Sequence, residues 1–186
     1  MRREEAPALQ AEAFALANQT ARGLQLLGYE LEVADFVAYC RAGAEKALSP
    51  DVETIAAVEA LRTPCFVFTN TSSAAARGCL TALGLDEALF AGILGNDCYA
   101  EPKPHEAAFE AALHAAGLTL AEAHRAVLIE DSVKNARAAV ALGMRSVLVT
   151  QTAERPSTPQ ERDEVAHHVI GRVSRAELDA LNLGLY

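Results

Sequence analysis

The chain has 186 residues, a formal net charge of −9 and 51% hydrophobic residues, while only 5% of its residues are aromatic. This length suits one domain with a small appendage and is too short for two full domains. The negative charge argues against nucleic acid or an anionic membrane as the main partner, but a local site can still attract a small anion. No run approaches the ~18 apolar residues of a membrane span, and no secretory signal is apparent, so we expect a cytoplasmic protein.

Residues 1–62 are predicted to be helical throughout. Apolar residues recur at helical spacing in the first segment, which Gly28 ends. Further helices are predicted at 33–42 and 52–62. No buried strand is expected before residue 64.

After residue 64 short apolar runs alternate with helical segments. This alternation predicts an α/β fold with a Rossmann-like parallel sheet, right-handed crossovers and helices on both faces. Residues 151–164, rich in Pro, Thr, Gln and charge, are predicted to be a surface loop. The predicted strands are 65–69, 92–95, 126–129, 145–149 and 168–170, and the predicted helices are 73–83, 104–116, 133–142 and one capped by Ser174, with a capping box at Thr119-Leu120-Ala121-Glu122.

Four cysteines lie far apart along the chain and form no C-x-x-C pair. Their spacing argues against a metal or redox centre. We therefore expect reduced, mostly buried thiols. They are Cys40, Cys65, Cys79 and Cys98.

Thr69 and Asn70 follow the first predicted strand. In a parallel sheet, ligands bind at the carboxyl ends of the strands. A hydroxyl, an amide and the N-terminus of the next helix together make a candidate anion site. The alternative is an ordinary turn, since polar residues commonly follow strands.

Lys103 lies between two prolines in the segment 101–105. Each proline restricts the backbone around it, so the lysine is held just before a predicted helix. Such a lysine suits the neutralisation of a bound phosphate. The alternative is a solvated lysine in a loop.

Glu130 and Asp131 are adjacent carboxylates directly after the most apolar predicted strand. Two charges at that place are costly unless a cation or hydrogen bonds compensate them. Oxygen ligands at a strand end suit a Mg²⁺ that also contacts a substrate phosphate. The alternative is that Asp131 caps the next helix.

In this order, the three clusters resemble the second, third and fourth motifs of the haloacid dehalogenase superfamily of phosphohydrolases. The resemblance implies that Thr69 and Asn70 bind phosphate. It implies that Lys103 binds phosphate and balances charge in the transition state, and that Glu130 and Asp131 hold Mg²⁺. The segments that carry it are Phe66-Val67-Phe68-Thr69-Asn70, Lys103-Pro104 and Val127 to Ala136, followed by Ala141-Leu142-Gly143-Met144.

The resemblance also implies a domain organisation and a substrate class. Residues 1–62 are similar to a partial helical cap, and residues 63–186 to an incomplete α/β core. Residues 23–30 resemble the pyrimidine 5′-nucleotidase branch. The implied partner is a nucleoside monophosphate or another small phosphorylated metabolite, without nucleic acid or membrane.

The family's D-x-D motif is missing, and with it the first, central strand. In the family, the first Asp attacks phosphorus and the second is the general acid/base. No two of the seven aspartates here are separated by a single residue. We expect an inactive chain that is an incomplete version of a phosphatase. The alternatives are a catalytically silent phosphate/metal-binding or interaction protein, a helix-rich scaffold without a ligand, and a dehalogenase, against which the acidic pair counts.

Overall fold

The computed structural model describes residues 5–17, 19–150 and 164–186, and the chain divides into two compact units, Met1–Ala47 and Leu48–Tyr186. This division lies earlier than the boundary predicted after residue 62, because the helix predicted at 52–62 packs inside the second unit. The predicted loop at 151–164 lies outside the described residues except for Glu164.

The first unit is helical. Its first predicted helix is in fact two helices, because α2 turns back onto α1. In a continuous helix, residues ten apart are separated by ~15 Å. A Cβ built on Gly23 would nevertheless lie 1.8 Å from the carbonyl oxygen of Ala13, which is completely buried. The elements are α1 (Ala6–Ala17), α2 (Thr20–Leu26), α3 (Val33–Arg41) and a 3₁₀ helix (Ala44–Ala47).

The second unit begins with α4 (Val52–Glu59), which packs through Ile55 and Val58 on a cluster containing Leu80 and Ile93. This burial places α4 with the sheet-bearing unit. Burial of apolar side chains is favourable, so α4 belongs with the sheet against which it packs, although the helices of the first unit precede it in sequence.

A polar contact also fastens the start of α4. Asp51 accepts a hydrogen bond from the backbone N–H of Glu53 at 3.1 Å, and Arg172 Nη2 lies 2.9 Å from both carboxylate oxygens of Asp51. The guanidinium lowers the pKa of Asp51 below its usual range. Thr54 Oγ1 donates to the carbonyl oxygen of Val173 at 2.9 Å. The two ends of this unit's chain are therefore joined.

The strands form two parallel sheets rather than one, with strand orders β1-β2 and β3-β4-β5. The predicted α/β class and the parallel pairing are confirmed. Across the described residues, no ladder joins β1 to β3. The strands are β1 (Phe66–Phe68), β2 (Gly92–Leu94), β3 (Val127–Glu130), β4 (Arg145–Val149) and β5 (His168–Ile170), and the helices are α5 (Ser73–Ala82), α6 (Glu106–Ala115), α7 (Val133–Ala141) and α8 (Arg175–Ala180).

Consecutive residues of β3 contact different apolar clusters, because side chains of a strand point alternately to its two faces. Leu128 packs in one cluster with Phe109, and Phe68 of the other sheet lies against this cluster. Ile129 lies against a second cluster that includes Leu178. The two sheets therefore share one apolar cluster although they share no strand pairing.

Two predicted helix caps are confirmed. Glu122 Oε2 accepts from the N–H and the hydroxyl of Thr119, at 3.1 and 3.0 Å, and caps a 3₁₀ helix (Leu120–Arg125). Ser174 Oγ accepts from the N–H of Glu177 at 3.3 Å at the start of α8. Pro104, by contrast, precedes α6 without belonging to it, because the helix begins at Glu106.

The four cysteines are free thiols, as expected, but they are less buried than predicted: Cys40 and Cys98 are exposed, and Cys65 and Cys79 are half-buried. Within the described ranges, no helix is both long and apolar enough to cross a bilayer.

We predict that Gly23→Ala destabilises the helical unit. The added methyl group meets the backbone of Ala13, which cannot move without separating α2 from α1. The cost should be at least ~2 kcal/mol. The matched control is Gly78→Ala in α5, where nothing lies within 4 Å of the new Cβ. Hydrogen exchange resolved by peptide should show faster exchange in residues 5–26 for Gly23→Ala. For Gly78→Ala, the exchange of these residues should stay unchanged.

Candidate functional site

Four of the five predicted site residues converge at the carboxyl ends of β1 and β3. Thr69 follows β1, Glu130 ends β3 and Asp131 follows it, while Lys103 comes from the loop between β2 and α6. All four line a cavity of about 370 Å³. The complete lining is Phe68, Thr69, Lys103, Ile129, Glu130, Asp131, Val149 and Val173.

Lys103 and Glu130 form a buried ion pair. Lys103 Nζ lies 2.6 Å from Glu130 Oε2, and both side chains are more than nine-tenths buried, with exposures of 6% and 7%. Lys103 Nζ also donates to the carbonyl oxygen of Phe68 at 2.8 Å and lies 4.6 Å from the centroid of its ring. Together these contacts hold the ammonium group between the ends of the two sheets.

The adjacent carboxylates have different environments. The second oxygen of Glu130, Oε1, accepts from the N–H of Ser132 at 3.1 Å, so both oxygens of this residue have donors. Asp131 is exposed on the cavity wall. Of the two residues predicted to hold Mg²⁺, Asp131 is therefore the more accessible ligand.

These carboxylates fit a Mg²⁺ site in which the protein supplies only one or two of the ligands. Among the residues that the structure describes, no three His, Cys, Asp or Glu side chains come together around a metal position. Mg²⁺ is commonly held by one or two carboxylates, with waters and substrate phosphate completing six ligands. Glu130 and Asp131 match that pattern.

Thr69 is one of the residues that line the cavity. Its Oγ1 accepts from the N–H of Thr71 at 3.2 Å, and its own N–H continues the ladder by donating to Leu94 at 2.9 Å. Because Oγ1 accepts from Thr71, the hydroxyl proton is directed elsewhere and can donate to an anion.

Asn70 is not among the residues that line the cavity, although the sequence groups it with Thr69. Its Oδ1 accepts from the backbone N–H of Lys103 and its Nδ2 donates to the carbonyl oxygen of Lys103, both at 2.9 Å. The side chain thus contacts the lysine's main chain. Its predicted phosphate-binding role stays a prediction.

The N-terminus of α5 also differs from the predicted anion site. The N–H and the hydroxyl of Ser73 donate to Asp97 Oδ1 at 2.7 and 2.9 Å, and the N–H of Ala75 donates to Ser72 Oγ at 3.3 Å. The bonds from Ser73 lower the pKa of Asp97. A carboxylate of the chain itself therefore accepts the hydrogen bonds of the first residue of α5, which was expected from the sequence to be open to an anion.

Tyr99 is a site residue that the sequence did not reveal. Its hydroxyl donates to the carbonyl oxygen of Thr69 and lies 3.3 Å from Asn70 Oδ1, and its ring packs edge-on against Phe68. Burial, followed by the charges of Cys98, Asp97 and Glu130, raises the pKa of Tyr99, so the phenol stays protonated. The only sequence signal was an aromatic residue four positions before the proline-flanked lysine.

Comparison with known proteins agrees with the fold. The family model of the haloacid dehalogenase-like hydrolases matches residues 4–143, more than half of the chain. This chain therefore belongs to the haloacid dehalogenase-like hydrolase family. No curated protein sequence matches it significantly.

Three solved structures illustrate the likeness in fold. CbbY from Rhodobacter sphaeroides, a mutant in complex with xylulose-(1,5)bisphosphate, is 23% identical, with a TM-score of 0.63 over 95% of this chain and 80% of its own. L-2-haloacid dehalogenase from Xanthobacter autotrophicus is 18% identical, with a TM-score of 0.61 over 90% of this chain and 74% of its own. YfnB from Bacillus subtilis, a putative HAD-hydrolase bound to magnesium, is 17% identical, with a TM-score of 0.60 over 97% and 73%.

We predict that the Lys103–Glu130 pair is required for stability and that Asp131 is not. Glu130→Gln leaves a buried ammonium without its counter-charge, which should cost about 3–5 kcal/mol. Asp131→Asn, one residue away but exposed, should change the free energy of unfolding by less than ~0.5 kcal/mol. Urea unfolding of both variants makes the comparison. Adding Lys103→Met to Glu130→Gln should recover much of the loss, and a further loss would contradict the assignment.

Proposed function

We propose that this chain carries the phosphate- and Mg²⁺-binding site of a hydrolase acting on small phosphorylated metabolites. The observation that carries the proposal is the meeting of Thr69, Lys103 and Asp131 in one cavity at the carboxyl ends of β1 and β3. A hydroxyl donor, a cation and an accessible carboxylate are the groups that a phosphate and its metal ion need.

Each residue has a separate task in this proposal. The Thr69 hydroxyl donates to a phosphate oxygen, and the Lys103 ammonium attracts the phosphate charge. Asp131, with Glu130, would hold Mg²⁺, and the bound ion would neutralise negative charge on the phosphate. Two structures of similar fold, one bound to magnesium and one in complex with a bisphosphate, support the proposed kinds of ligand and leave the residue roles to the tests below.

The charge of the site makes the metal necessary for binding. Lys103, Glu130 and Asp131 are the charged residues of the cavity lining, and together they carry one net negative charge. A phosphate dianion entering without a cation would meet repulsion at short range, where the dielectric constant is low. Binding of phosphate should therefore require a divalent cation.

The proposed substrate is a nucleoside monophosphate. Its support is the similarity of residues 23–30 to the pyrimidine 5′-nucleotidase branch. The proposal includes that this chain is catalytically silent. The described cavity wall contributes two carboxylates, and Glu130 is already paired with Lys103, so a free aspartate pair to attack phosphorus and transfer a proton is missing from that wall.

We predict Mg²⁺-dependent binding of inorganic phosphate. Titration calorimetry should detect binding with excess Mg²⁺ and none with a chelator. Asp131→Asn should weaken it at least about tenfold, or ~1.4 kcal/mol, because the accessible metal ligand is lost. Asp179→Asn, an exposed aspartate on α8, is the matched control and should bind as the unsubstituted chain does. Equally tight binding in chelator would contradict the proposed charge balance.

We also predict that the chain does not hydrolyse nucleoside monophosphates or an aryl phosphate. Positioning and charge remain, but the covalent step lacks its acceptor. Phosphate release with and without Mg²⁺ is the measurement, and Asp131→Ala separates the site from a contaminating phosphatase. Mg²⁺-dependent turnover that Asp131→Ala abolishes would show that the site contains a nucleophile.

A further inference from the structure

The side chain of Asn70 pairs with both main-chain polar groups of one residue, Lys103. The amide oxygen receives the N–H and the amide nitrogen donates to the carbonyl oxygen, each at 2.9 Å. An amide placed in this way reproduces the two bonds that a neighbouring strand residue would offer. Because Asn70 follows β1 almost directly, the bonds fix the lysine's backbone relative to the end of that strand.

Tyr99 also contacts the residues that follow β1. Its hydroxyl donates to the carbonyl oxygen of Thr69 and lies 3.3 Å from Asn70 Oδ1, while its ring is 5.6 Å from that of Phe68. The phenol keeps its proton because the ring is partly buried, so it remains a donor. Thr69, Asn70 and the lysine loop are thereby connected through one hydroxyl.

The result of these contacts is a lysine whose backbone is fixed at a strand end and whose ammonium group is directed at the cavity. Lys103 Nζ lies 2.8 Å from the carbonyl oxygen of Phe68 and 2.6 Å from Glu130 Oε2. A lysine has a long, flexible side chain, and fixing its backbone restricts the positions that the ammonium can reach.

We propose that Asn70 and Tyr99 are positioning residues for Lys103 and that Asn70 acts on phosphate only through this lysine. The inference rests on the proposed phosphate site, but its first test does not. Asn70 does not line the cavity, and its amide is directed at the lysine's main chain. Turning the amide towards a ligand would break both bonds that hold the lysine.

The first test measures the position of Lys103 without any ligand. The chain contains two other lysines, Lys46 and Lys134, and both are exposed, whereas Lys103 is buried. Acetylation of Lys103 relative to Lys134, followed by mass spectrometry, should be slow in the unsubstituted chain. Asn70→Ala and Tyr99→Phe should each raise this ratio about tenfold, the equilibrium effect of losing hydrogen bonds of ordinary strength.

A control separates positioning from a general loss of stability. Thr119→Ala removes a helix cap that is not part of the cavity lining, so it destabilises the same unit without changing a residue of the lysine site. Its labelling ratio should match that of the unsubstituted chain. A comparable increase in Thr119→Ala would overturn the proposal, because labelling would then report only loosened structure.

The second test links the two residues to phosphate. With excess Mg²⁺, Tyr99→Phe and Asn70→Ala should weaken binding of inorganic phosphate by a similar factor, about tenfold. Loss of phosphate affinity in Asn70→Ala with unchanged labelling of Lys103 would make Asn70 a direct ligand and defeat the inference, as would unchanged labelling in both variants. If no variant, including the unsubstituted chain, binds phosphate, the proposed function fails while the labelling still decides the positioning role.

Discussion

The ion pair between Lys103 and Glu130 is the contact on which the site depends. Its two charges are almost completely withdrawn from water, with 2.6 Å between Nζ and Oε2. Desolvation of each ion is costly, and only close approach with additional hydrogen bonds compensates for it. Those additional bonds come from Phe68 at the end of β1 and from Ser132 after β3. A single electrostatic requirement thus fixes how the two strand ends face each other.

The same pair gives neighbouring carboxylates unequal tasks. Glu130 points inwards from β3 and balances the lysine, whereas Asp131 is exposed at the cavity wall. Alternation along an extended chain puts consecutive side chains on opposite sides, so one residue of such a pair is buried and the other meets solvent. An acidic pair at a strand end can therefore serve both internal charge balance and ligand binding.

The strands, their parallel direction and four of the eight residues that line the cavity were predictable from local patterns. Apolar runs indicated the strands, and the rule that strand ends meet at one edge placed Thr69, Lys103 and Asp131 together. These inferences need only spacing along the chain. They succeeded because strand direction and pleat follow from backbone geometry, whatever the remote partners are.

Contacts between remote residues were not predictable in this way. Asn70 meets Lys103 across 33 positions, and Ser73 meets Asp97 across 24. The side chain of asparagine or aspartate can form hydrogen bonds with several different groups, and the tertiary structure decides which of them it contacts. The turn of α2 onto α1 was missed for a similar reason, because helical spacing continues through the break and only the close approach of Gly23 to Ala13 reveals it.

In the part of the chain that the structure describes, strand pairing does not connect the two sheets. Within the described residues, β1 and β2 share no backbone ladder with β3, β4 and β5, so the hydrogen-bond network of one sheet does not extend into the other. Phe68 and Lys103 supply the connection, one through the apolar cluster around Phe109 and the other through Glu130. Local opening of one sheet therefore reaches the other through side-chain packing and the ammonium–carboxylate contact, without a continuous strand ladder between them.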